Sequence, residues 1–136
     1  MNNFLYLDPT EGNKLILVLF KKDKVYSEEI IYQKPLSEIF LVEVDKLLSK
    51  TKTKLGDLEA LVLIKGPGAF SSLRTAVSLV NTISWAMNIP SIAFKKGELK
   101  SDQDMVKQIS RRATNKKFKT IIPFYGREPN ITKSKK

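Results

Sequence analysis

The sequence predicts an α/β fold: a three-stranded antiparallel meander extended by two parallel strands, with two packed helices and a short basic C-terminal remnant of helix and strand. Three observations carry this expectation. The first third holds three apolar-rich stretches separated by short turn-forming segments, the pattern of consecutive hairpins. Residues 55–94 then read as strand, glycine-rich turn, helix, strand, and two strands joined through a helix are parallel. Beyond residue 94 the composition changes. Residues 1–94 carry 11 Lys/Arg and 10 Asp/Glu, whereas residues 95–136 carry 13 and 4.

Taken in order, residues 3–8, 14–20 and 24–32 are the three strands. The segment from Asp8 to Asn13 offers Pro, Thr and Gly for the first connection, and Lys21 to Lys24 is short enough for a hairpin turn. Residues 35–50 form the first helix, with Pro35 or Ser37 near its start and the acidic Glu38 in its first turn. Leu36, Phe40, Val44, Leu47 and Leu48 make one stripe at helical spacing and are core. Ile39 and Val42 fall outside it, beside Glu38, Asp45, Lys46 and Ser49.

Residues 60–64, ALVLI, are an unbroken apolar run too short for a helix, as expected of a strand covered on both faces in mid-sheet. Gly66, Pro67 and Gly68 stop it. Ser71 and Ser72 are each able to cap the next helix, expected over residues 72–88. Its apolar positions, Leu73, Ala76, Val77, Leu79, Val80, Ile83, Ala86 and Met87, span about half the circumference at ~100° per residue, wider than one sheet requires. Trp85 points elsewhere, beside Arg74, Ser78 and Asn81, and has two open readings: an interface anchor, or a side chain covered by the C-terminal segment. Asn88, Ile89 and Pro90 end the helix, and residues 91–94 are the second parallel strand. Further on, Ser101 and Asp102 cap a short helix to about Ala113 with the stripe Met105, Val106, Ile109 and Ala113, and residues 118–122 form a strand.

At 136 residues and 42% hydrophobic content, one core and one domain are expected, divided into a lobe over residues 1–94 and a basic segment over 95–136. The chain has no Cys and no His. That removes disulfides, thiol nucleophiles, the commonest zinc ligands, the serine triad and the usual general base near neutral pH, so no catalytic or metal-binding residue is assigned. The start lacks a basic, apolar leader, and the longest apolar run, residues 15–20, is far short of a bilayer span, which makes a cytoplasmic protein the expectation. Of the net charge of +10, +9 belongs to residues 95–136. An anionic partner such as nucleic acid is one reading and a solvated tail the other. Arg111, Arg112, Lys116 and Lys117 are the candidates for phosphate contacts.

The stretch GPGAFSSLR, preceded by LGDLEALVLIK and followed by a helix and IPSIAF, resembles the TsaB (YeaZ) family, whose hallmark is GPGSFTGLR after an apolar strand. Ala69, Ser71 and Ser72 stand where that hallmark has Ser, Thr and Gly. The ending IIPFYGREPNITKSKK is similar to the family's C-terminal tail. The resemblance covers residues 1–94 and 121–132, so the chain looks like a shortened member lacking most of the second lobe.

The resemblance implies a single actin-like/RNase H-like (ASKHA) lobe. It also implies a non-catalytic partner subunit in the biosynthesis of tRNA threonylcarbamoyladenosine, docking through its two helices onto a TsaD-like catalytic subunit, with a TsaE-like ATPase joining and tRNA reached through the complex. A homodimer through the same helices is a further expectation. Ile39, Val42, Ser71, Arg74, Leu79, Ile83 and Trp85 are the interface candidates. Asp8, Thr10, Gly66 and Gly68 are degenerate remnants of phosphate loops; Pro9 removes an amide from that cradle, so DPTEG reads as a plain turn. No tightly bound cofactor is expected, with nucleotide only at the interface with a partner. Two other classes stay open. A stand-alone basic RNA-binding module draws on the +9 segment, and an ASKHA-type nucleotide-binding enzyme would need convergent carboxylates, of which only Asp8 sits at the right strand end while Asp57 and Glu59 precede theirs.

Overall fold

The computed structural model describes residues 3–22, 24–112 and 121–124. Strands β1 (Asn3–Glu11), β2 (Lys14–Lys21) and β3 (Lys24–Ile31) form the antiparallel meander. Strands β4 (Ala60–Ile64) and β5 (Ser91–Phe94) extend it in parallel on the β1 side, so the order among the described residues is β3-β2-β1-β4-β5. All five residues of β4 are buried, as an interior strand with both faces covered requires.

Alternation along the strands sorts the side chains into two cores. Leu5, Leu7, Leu17, Leu19, Leu61 and Leu63 face helices α1 (Leu36–Lys50) and α2 (Phe70–Met87). Phe4, Phe20, Val62, Ile64, Ile92 and Phe94 face the other way, where helix α3 (Asp102–Arg112) supplies Met105 and Ile109. Phe4 and Phe20 lie opposite each other in register with ring centroids 4.7 Å apart, a cross-strand aromatic pair that helps pin the β1–β2 register.

The α1 stripe Leu36, Phe40, Val44, Leu47 and Leu48 is buried throughout. Helix α2 begins earlier than its serines suggest. Ala69 holds the cap position without a side-chain bond, which corrects the assignment of Ser71 and Ser72 as caps. The chain passes from the Gly66–Gly68 turn directly into the helix at Phe70, so both serines already lie inside the first turn, and the Ser72 hydroxyl sits 3.1 Å from that of Tyr32. The expected cap of α3 is present: the Ser101 hydroxyl accepts the amide of Asp104 at 3.1 Å.

At its far end α2 closes on Asn88, in the left-handed region at φ 55°, while Ser84 Oγ donates to the carbonyl of Ile89 at 2.5 Å. Asn tolerates this conformation and most side chains do not. Asn88→Ala is expected to lower stability by about 1 kcal/mol and Asn88→Gly to hold it, read as melting temperatures of the two variants. Equal melting of Ala and Gly variants would remove the backbone explanation.

Two other sequence expectations are corrected. DPTEG is not a plain turn: β1 continues through Pro9 and Thr10 to Glu11, with the turn at Gly12 and Asn13. The ladder with β2 is irregular between Asp8 and Glu11, and such a bulge lets a proline sit in a strand without an amide to donate. The strand expected over residues 118–122 is absent at Ile121 and Ile122, which have no regular structure; its remainder, like Ala113, lies outside the described residues.

Candidate functional site: the outer helix faces and the strand-end loop

The interface candidates divide by burial. Ile39, Leu79 and Ile83 are half-buried and pack against the leucine core, because they lie on the flanks of their helices where the neighbouring helix and the sheet still reach them. Val42 and Trp85 are exposed at 51% and 72%. Ser71, Arg74 and Leu79 meet Ser37, Thr75 and Ser78 in a groove of ≈ 440 Å³ between the two helices. Leu41, 52% exposed on α1, was missed by sequence reasoning. Its signal was available: at ~100° per residue it falls about a quarter-turn from the centre of the buried stripe.

The strand-end loop collects all four phosphate-loop remnants. Asp8 Oδ1 accepts the amide of Thr10 at 2.9 Å and its hydroxyl at 2.5 Å. Lys96 Nζ donates to Thr10 Oγ1 at 3.2 Å and pairs with Glu11, while its amide donates to the carbonyl of Gly66 at 2.8 Å. Gly68 packs on Thr10 so closely that a Cβ there would lie 3.0 Å from the Thr10 Cα. A phosphate cradle needs amides aimed at the anion. Here the Thr10 amide is bound to Asp8, and an anion would meet the carboxylates of Asp8 and Glu11. Lys96 carried no local signal, since it lies 86 residues from Thr10.

Among the described residues no group of three or more His, Cys, Asp or Glu is placed to hold a metal ion, and no helix is long and apolar enough to cross a membrane. Of the RNA-contact candidates, Arg111 is exposed and Arg112 closes α3. Lys116 and Lys117 lie outside the described residues.

A family model described as "TsaD: tRNA N6-adenosine threonylcarbamoyltransferase" matches residues 25–100, more than half of the chain. The chain belongs to this family. Curated relatives of the chain carry the TsaB name. The tRNA threonylcarbamoyladenosine biosynthesis protein TsaB of Bacillus subtilis (strain 168) is 32% identical over 82 residues, which are 60% of this chain and 36% of the relative. The protein of the same name from Buchnera aphidicola subsp. Acyrthosiphon pisum (strain APS) is 30% identical over 77 residues, 57% of this chain and 35% of the relative. YeaZ from Pseudomonas aeruginosa superposes with a TM-score of 0.64 at 25% identity, covering 70% of this chain and 43% of that one. The resemblance drawn from GPGAFSSLR therefore holds, and the lobe is actin-like/RNase H-like, as in YeaZ. The chain spans less than half the length of each of these three proteins.

Proposed function

We propose that this chain is a non-catalytic partner subunit in the biosynthesis of threonylcarbamoyladenosine in tRNA, docking through the outer faces of α1 and α2 onto a TsaD-like catalytic subunit. The supporting relatives are named for that pathway. The observation that carries the docking surface is Trp85, 72% exposed on α2, with Leu41 and Val42 uncovered on α1. Trp and Arg are enriched among the residues that anchor interfaces, and Trp85 lies on the α2 face that also carries Arg74, Ser78 and Asn81. A TsaE-like ATPase joins the complex, and nucleotide binds only where subunits meet. Mixed with the TsaD-like subunit and TsaE-like ATPase of its own organism, the chain should raise threonylcarbamoyl transfer to tRNA while transferring none alone. Turnover by the purified chain, or no gain on adding it, would overturn the reading. A second copy docking through the same faces would compete, visible as a dimer that dissociates when the TsaD-like subunit is added.

The charge of residues 95–136 favours a second reading, a basic RNA-binding module. Lys107 and Arg111 are both exposed and one helical turn apart on α3. If they contact phosphates, reversing Arg111, Arg112, Lys116 and Lys117 together should weaken tRNA binding and flatten its salt dependence by about 3 to 4 counterions in slope. An unchanged slope would leave the segment as a solvated surface.

A further inference from the structure

We propose that the Gly66–Gly68 turn is a socket for the chain's own C-terminal segment, residues 121–124, and that this segment takes the place at the strand ends where a phosphate-bearing ligand would enter. The ligand class is a peptide backbone, here that of residues 121–124.

Four residues converge on it: Lys65 and Gly66 after β4, Lys95 after β5 and Asn81 of α2. Gly66 has φ 133°, and a Cβ on it would lie 1.7 Å from the carbonyl oxygen of Phe124 and 2.8 Å from its carbonyl carbon. The segment's backbone is thus seated against the glycine's α-carbon, and both the space and the backbone angle demand glycine there. The Phe124 amide donates to the carbonyl of Lys65 at 2.8 Å, at the end of β4. Lys95 Nζ, just after β5, lies 4.5 Å from the centre of the Phe124 ring. From α2, Asn81 grips the other end: its Nδ2 donates to the Ile121 carbonyl at 3.1 Å and its Oδ1 accepts the Ile121 amide at 2.9 Å.

The Asn81 side-chain amide therefore replaces a neighbouring strand, satisfying both backbone groups of one residue. Ile121 is held in the leucine core at 8% exposure, while Ile122 faces outward. On the opposite flank of the turn, Thr10 packs on Gly68 and Lys96 bonds Thr10, so the chain itself lies against both glycines while Pro67 stays exposed. A glycine turn built for a phosphate would leave its approach open. This one has a peptide backbone against its first glycine.

The test is amide hydrogen exchange by NMR on the full chain, with no partner present, so its outcome is independent of the docking proposal. In the wild type the Ile121 and Phe124 amides should exchange slowly. Asn81→Asp keeps an acceptor for the Ile121 amide but sets a carboxylate against the Ile121 carbonyl. It should accelerate exchange at Ile121 and Phe124 roughly tenfold and leave Leu61 and Leu63 of β4 unchanged. Gly66→Ala should do the same if it folds; if it does not, Asn81→Asp decides alone. Unaltered exchange at Phe124 in Asn81→Asp would overturn the socket, as would acceleration spread equally over β4. So would a shift of the Gly66 and Gly68 amide resonances when inorganic triphosphate is added to the wild type.

Discussion

Val80→Asp is expected to unfold the domain. Val80 is 1% exposed on the inner face of α2 and belongs to the cluster of Leu5, Leu61, Leu63, Phe40 and Val44. A carboxylate there loses water on every side and meets apolar side chains, while the burial of the valine, worth about 1.5–3 kcal/mol, is lost as well. A total near 4 kcal/mol or more is a large part of the ~5–15 kcal/mol that holds a small domain together. Circular dichroism during heating should show either no cooperative transition or one lowered by more than ~15 °C. A variant melting within a few degrees of wild type would mean that α2 is not seated on the sheet as described.

Trp85→Ala is expected to do the reverse: keep the fold and lose the partner. Truncating a side chain that is 72% exposed removes little buried surface, so melting should change by no more than about 0.5 kcal/mol. If the indole is desolvated in the complex, its removal should cost ~2 kcal/mol or more, about thirtyfold in affinity for the TsaD-like subunit. Val42→Asp, at 51% exposure, should behave alike by placing a charge in the same dry contact. Leu79 is not a clean probe, because it packs against the core and Leu79→Asp would disturb both fold and surface. Calorimetric titration beside thermal melts separates the effects. Wild-type affinity in two folded variants would show that the outer helix faces are not the docking surface.

Local sequence reasoning succeeded where the physics is local. The spacing of Leu36, Phe40, Val44, Leu47 and Leu48 places them on one helical face, and all five are buried. The unbroken ALVLI run became the interior strand, and Asn88 before Pro90 became the left-handed helix end. It failed at Ser71 and Ser72, where two good capping residues stand one and two positions inside the helix. Cap preference ranks residue types, but the turn that delivers the chain chooses the position. Likewise Pro9 suggested a turn, yet a bulge in the β1–β2 ladder keeps it within a strand.

Up to residue 112 the residues alone determined the order of strands and helices and the parallel addition of β4 and β5, because periodicity, glycine, proline and connection length act within a few residues of one another. Tertiary structure alone decided which polar groups meet. Thr10 is 86 residues from Lys96, and Asn81 is 40 from Ile121; no propensity or spacing links such pairs, and only the packing of sheet edge, turn and helix brings them within hydrogen-bond distance. The same holds for exposure. Leu79 and Trp85 both lie outside the buried stripe of α2, but the core reaches Leu79 and leaves Trp85 exposed, a difference set by how α2 is seated on the sheet and beside α1.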